Sequence, residues 1–255
     1  MNQLSNYRRL FGLIGYPLSH SFSKRYFREK FRKSGIEDAY YELFPIPTIE
    51  ELPALIARHS NLVGLNVTIP YKQAVLPFLD RLDEGAREVG AVNTIHLVNG
   101  GRVGYNTDVL GFERSLLEWL GEERHQAKGF RALVLGTGGA AKAVAYVLRR
   151  LGISYQLVSR TSGKGRLSYR EVTDAMLEAH ALVVNTTPLG MAPNTAACPD
   201  LPYRSLGAHH FLYDLVYNPE ITTFMKRGLA QGAKVKNGLD MLYGQAEEAW
   251  SIWSR

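Results

Sequence analysis

Residues 132–144 read A-L-V-L-G-T-G-G-A-A-K-A-V: an apolar strand, a glycine-rich turn and the opening of a helix. A lone G-x-G-x-x-A string also describes an ordinary strand-to-helix turn. Here a helical pattern follows over 139–150 and another apolar strand over 153–159, which is the context in which such a turn holds a dinucleotide. Gly136 allows the turn, Gly138 lets backbone approach a pyrophosphate, and Ala141 lets the helix pack on the sheet. Gly139 and Ala140 open the helix, where free N–H groups and the positive dipole end favour an anion.

The second strand ends V-S-R-T, residues 158–161. An NAD enzyme normally offers Asp or Glu there to the ribose hydroxyls. This chain offers Arg160, with Ser159, Thr161 and Lys164 as helpers, and a guanidinium at that position suits a 2′-phosphate. The residues therefore favour NADP(H) over NAD as cofactor.

Outward from this unit, hydrophobic periodicity gives strands at 11–15, 40–44 and 62–68 and helices at 22–34 and 48–58. Ala91–Val98 leads into a hairpin turn at Asn99–Arg102. A helix over 109–120 and a polar stretch over 121–129 precede the glycine turn. Further strands are expected at 131–136, 181–185 and 211–216, and a helix at 220–231. The economical picture is α/β: two α/β domains around a cleft. Residues 1–112 form a substrate-binding and catalytic domain with a mostly parallel sheet. Residues 113–238 form a Rossmann-like domain, and a C-terminal helix over 239–255 packs back on the first.

Composition narrows function less. The 255 residues carry 30 Lys plus Arg against 24 Asp plus Glu, a balance open to nucleic acid, an anionic membrane surface or small anionic ligands. Many cations sit in S-K-R-Y-F-R-E-K-F-R-K-S-G, 23–35, which reads as a solvated helix face, and no nucleic-acid module appears. The single Cys198 excludes an internal disulfide, and no His or Cys spacing suits a metal. No apolar run reaches the ~20 residues that span a bilayer. The expectation is a cytoplasmic monomer or homodimer with no membrane or nucleic-acid partner.

A nicotinamide cofactor needs a group to handle a proton. Lys72, after N-V-T-I-P-Y, and Asp108, in G-Y-N-T-D, are candidates. Taken alone, Asp108 reads better as a helix N-cap and Lys72 as a solvated surface lysine. Together with P-L-S-H-S (17–21), G-A-V-N-T-I (90–95), N-T-T-P-L-G-M (185–191), Y-D-L-V-Y (213–217) and M-L-Y-G-Q-A (241–246), in this order, they decide the matter. The chain resembles the shikimate dehydrogenase family over nearly all its length.

The resemblance implies reversible reduction of 3-dehydroshikimate to shikimate by NADPH, on the way to aromatic amino acids. It implies Lys72 and Asp108 as the catalytic pair and Ser19 and Ser21 on the substrate carboxylate. Asn66, Thr68, Asn93 and Gln245 would meet the ring hydroxyls or shape the pocket, with Tyr217 close by. Thr186, Gly238 and Met241 join the cofactor residues. One departure is Asp240, where the family usually has the second Gly of G-x-G-M, a conformational concern if that position requires φ > 0. A quinate/shikimate dehydrogenase using NAD is the nearest rival, opposed by Arg160 and by Ser rather than Thr at 21. A catalytically silent NADPH-sensing module is the other, opposed by the retention of Lys72 and Asp108.

Overall fold

A computed structural model describes Leu4 and residues 7–18, 22–125 and 129–255. Ser19 and Ser21 lie outside the described residues. The chain folds as two compact units, one holding the residues up to Thr107 together with Ala246–Arg255, the other Asp108–Gln245.

The first unit contains β1 (Arg9–Gly15), α1 (Phe22–Lys33), β2 (Ala39–Pro45), α2 (Leu52–Arg58), β3 (Leu62–Val67), α3 (Tyr71–Ala74), β4 (Arg81–Leu82), α4 (Glu84–Val89), β5 (Thr94–Val98) and β6 (Gly101–Tyr105). Its sheet runs β2-β1-β3-β5-β6-β4. β1 pairs in parallel with β2 and β3, while β5 runs antiparallel to β3 and β6. β1 is apolar along its length because both faces are covered: Leu10 and Ile14 join one core, Phe11 and Leu13 another. On α1 the helical spacing buries Phe27 and Phe31, and Lys24, Lys30 and Lys33 are ion-paired with Glu42, Glu247 and Glu29.

The second unit contains α5 (Thr107–Leu120), which begins at the unit boundary, then β7 (Arg131–Leu135), α6 (Gly139–Arg150), β8 (Ser154–Ser159), β9 (Arg166–Ser168), α7 (Asp174–Glu178), β10 (Leu182–Asn185), β11 (Phe211–Asp214), α8 (Thr223–Ala230) and β12 (Lys234–Lys236). α9 (Leu239–Trp253) starts in this unit and ends in the first. The sheet is wholly parallel in the order β12-β11-β10-β7-β8-β9. That is the doubly wound dinucleotide order, with its switch point between β7 and β10. Leu133, Leu135, Val183 and Leu212 are fully buried in one core.

Element bounds differ from expectation where side chains intervene. The helix expected at 220–231 starts at Thr223 because the Thr222 hydroxyl caps it, accepting from Met225 N. The strand expected from Ala91 starts at Thr94, since Asn93 is committed to a polar cluster described below.

One close approach anchors the first unit. Trp253, near the end of α9, lies against β3 at Gly64 and donates from Nε1 to Ile95 O at 2.9 Å. A Cβ on residue 64 would stand inside the indole. Gly64→Ala should therefore cost about 1–3 kcal/mol in unfolding free energy by overpacking, read from the urea midpoint. An unchanged midpoint would show that the indole relocates freely.

Candidate active site

In the second unit, the nucleotide-binding features converge at the switch point. Gly136 follows β7 with φ of 117°, a conformation L side chains avoid, and a Cβ there would strike the Thr186 hydroxyl. Thr186 follows β10, and both its N and its Oγ1 donate to Leu135 O, at 2.9 and 2.6 Å. Gly138 takes the N-cap position of α6 with nothing within 4 Å of where a Cβ would be, and no side chain caps the helix. Gly139 and Ala140 lie in its first turn. Open backbone and an uncapped helix start are what a pyrophosphate requires, so these residues fit a bound dinucleotide.

At the end of β8, Arg160 is exposed and makes no ion pair among the described residues. The Ser159 hydroxyl donates to Thr161 O at 2.7 Å, so it shapes the turn that carries Arg160. Lys164 is exposed in the same loop.

Beside this crevice sits a buried carboxylate that sequence reading did not single out. Asp214 and Asn185 are register partners at the ends of β11 and β10. Asp214 Oδ1 accepts from Asn185 Nδ2 at 2.9 Å and Val216 N at 3.0 Å, and Oδ2 accepts from Thr222 Oγ1 at 2.6 Å. Asn185 Oδ1 in turn accepts from Thr187 N and Oγ1. One acid thus ties both loops of the crevice rim to the α8 cap. Burial pushes it up to about 6, against the pull of those three hydrogen bonds.

Also in this unit, α5 and α9 cross closely at Gly111 and Gly244. Asp108 is buried in the first turn of α5, inside the helix rather than at an N-cap position. Gln245 is buried on α9 and donates to Leu242 O at 3.0 Å. Tyr217 is half-buried, and Gly238 N donates to Val216 O beside it. Met241 is buried in the first turns of α9.

In the first unit, Asn66, Thr68, Asn93 and Lys72 gather where β3 ends. Val67 N donates to Asn93 O at 2.8 Å, Thr68 N to Ile14 O at 3.0 Å, and Val92 N to Lys72 O at 2.7 Å. Pro70 closes the strand and Lys72 follows in the first turn of α3, half-buried. Asn66 Oδ1 accepts from Tyr41 Oη at 2.7 Å, and its Nδ2 donates to Thr94 Oγ1 and Asn93 O. Asn93 Nδ2 donates to Thr107 Oγ1 at 3.0 Å, while Asn93 Oδ1 accepts from Thr107 N at 2.8 Å. Tyr41 is fully buried, and burial drives its hydroxyl far above the usual phenol range, so it acts as a neutral donor. Sequence reading missed Tyr41 and Thr107; a buried tyrosine on an apolar strand carries no signal of its partner. Asn106 Oδ1 is buried without a partner among the described residues, and its Nδ2 donates to Ala91 O.

Residues 13–95 match the family model described as the shikimate dehydrogenase substrate binding domain. A shikimate dehydrogenase (NADP(+)) of Desulforamulus reducens is 37% identical, covering 95% of this chain and 89% of the relative. The chain belongs to the shikimate dehydrogenase family. The enzyme of Thermus thermophilus, solved in complex with NADP(H) and shikimate, superposes with a TM-score of 0.80 at 32% identity over 96% of this chain and 93% of that one. Quinate dehydrogenase from Corynebacterium glutamicum, in complex with NAD, gives 0.82 at 29% over 96% and 93%.

The family's usual second glycine in G-x-G-M is Asp240 here, and the structure removes the conformational concern. Asp240 lies in the first turn of α9, and Asn99 is the one non-glycine with positive φ among the described residues. An acid suits a helix start, and Asp240 also pairs with Lys236. Among the described residues no cluster of His, Cys, Asp and Glu is arranged to hold a metal ion, and no helix is long and apolar enough to cross a membrane.

Asp214 sets a pH dependence. Its folded value lies near 6 against an ordinary 3.8, so the folded chain holds this proton more tightly than the unfolded chain. Its contribution to stability then falls as pH rises through that window. Asp214→Asn removes the slope. Between pH 7 and pH 4, unfolding free energies should shift in favour of the wild type relative to the variant by about 2 kcal/mol. A difference constant with pH would place the Asp214 carboxyl at its ordinary value.

Proposed function

We propose that this chain catalyses the reversible reduction of 3-dehydroshikimate to shikimate with NADP(H), on the route to aromatic amino acids. The observation that carries the proposal is the family's substrate-domain match over a cluster in which buried Asn66 and Asn93 stand next to the α3 turn bearing Lys72. The first unit is assigned most of the substrate residues, and the second the cofactor together with Asp108, Tyr217 and Gln245.

When bound, the nicotinamide supplies or takes the hydride. Lys72 handles the proton. Its ammonium stabilises the negative charge growing on the ring oxygen and donates the proton that completes the alcohol; in the oxidative direction the amine takes it back. Asp108 is the carboxylate assigned to the same proton step. Asn66, Asn93, Thr68, Tyr217 and Gln245 are assigned to the ring hydroxyls and pocket wall, and Ser19 and Ser21 to the substrate carboxylate. Because Tyr41 and Thr107 already hold the two asparagine amides, those groups are oriented before substrate arrives, which lowers the entropy cost of binding.

Lys72→Ala should lower turnover in shikimate oxidation by roughly 10²- to 10⁴-fold, with a smaller change in KM. Near wild-type turnover would contradict the assignment.

Cofactor choice rests on Arg160. A charge-assisted hydrogen bond contributes about 1.5–3 kcal/mol, or roughly 10- to 150-fold in affinity. Arg160→Ala should weaken NADPH binding by about one to two orders of magnitude on that scale and leave NADH nearly unchanged. Equal losses for both cofactors, measured calorimetrically, would mean that Arg160 supports the loop rather than reading the phosphate.

A further inference from the structure

We propose that Arg166, on β9, is a further specificity-determining residue for the cofactor's 2′-phosphate, acting with Arg160 and Lys164. The inference rests on the NADP(H) reading above and extends it to a residue outside the G-x-G and V-S-R-T stretches. Residues 159–170 contain no acid, and the next one, Glu171, is engaged by Ser168, whose N and Oγ donate to its carboxylate at 2.7 and 2.6 Å. Arg160, Lys164 and Arg166 are all exposed, and none makes an ion pair among the described residues.

The loop that carries them is closed on itself. Gly163 N donates to Arg166 O at 3.0 Å and Arg166 N to Gly163 O at 3.1 Å, so Lys164 and Gly165 form the tip of a tight turn. Gly165 supplies the positive φ, 75°, and its carbonyl accepts from Gln156 Nε2 at 3.4 Å. At the other end, the Ser159 hydroxyl holds Thr161 O. β9 pairs with β8 in the register Leu157↔Arg166, which fixes the Arg166 backbone beside the strand that Arg160 follows.

The guanidinium folds back over this turn. A Cβ on Gly163 would lie 3.1 Å from Arg166 Nε and 3.3 Å from Nη2, so Arg166 lies across the loop that carries Lys164 instead of extending from it. Three like charges held in one pinned loop repel one another, and the arrangement is relieved by an anion of more than one charge. A phosphomonoester is such an anion, and a guanidinium fork matches its oxygens where an ammonium gives a single point of charge.

The test is calorimetric titration of the whole protein with adenosine 2′,5′-bisphosphate and with 5′-AMP, which differ by the phosphate in question. Arg166→Ala should bind the bisphosphate about tenfold more weakly and 5′-AMP unchanged, with the loss shrinking as salt is raised. Arg166→Lys should recover part of it, and Arg170→Ala, a control at another exposed cation of the same segment, should give the wild-type value. If wild type prefers the bisphosphate but Arg166→Ala matches wild type or Arg170→Ala, the role of Arg166 is overturned and the NADP(H) reading stands. If wild type shows no preference for the bisphosphate, both fall.

Discussion

The carbonyl of Leu135 accepts two hydrogen bonds from one residue, Thr186, and the nucleotide end of the molecule depends on that contact. It joins the ends of β7 and β10, the two strands between which the strand order reverses. With Thr186 locked there, position 136 has no room for a side chain and must turn with positive φ. The chain then leaves the sheet so that α6 starts with its backbone uncovered. A parallel sheet leaves its strand ends without ladder partners, and the same groups that would be a cost in a core become the binding surface.

The first unit solves a related problem with side chains. At the end of β3 the ladder stops at Pro70, and the buried amides of Asn66 and Asn93 need partners. Tyr41, Thr94 and Thr107 supply them. Each amide is thereby held in one orientation, and a network of this kind is specific because any unsatisfied member is costly. The 185–191 and 214–222 loops of the second unit are held in the same way, through the Asn185–Asp214 pair and Thr222.

Most of the architecture was legible in the sequence because it is written in hydrophobic period. The run 131–135, the helix 139–150 and the strand 62–67 fall within a residue of expectation. The elements that escaped notice are short or charged: Arg81–Leu82, Arg166–Ser168, Asp174–Glu178 and Lys234–Lys236. Three of these are edge strands, and β12 keeps a Lys at either end, as exposed edges commonly do. Gly136 was legible because its backbone turns with positive φ against Thr186, where a side chain has no room. Asp214 and Tyr41 were not, because their cross-strand partners Asn185 and Asn66 lie 29 and 25 residues away and meet them only once strand order and register are set. Asp240 illustrates the reverse: a departure from pattern that raised a conformational doubt became a helix-start acid once the backbone was seen.

Both units are assigned to one reaction, the oxidation of shikimate by NADP⁺. The most direct test of that assignment is steady-state turnover of the wild-type protein, followed at the nicotinamide absorbance, with shikimate or quinate paired with NADP⁺ or NAD⁺. Sustained turnover is expected with shikimate and NADP⁺, and much lower kcat/KM when either is replaced. No turnover with that pair, or a kcat/KM for quinate with NAD⁺ equal to or above it, would overturn the assignment.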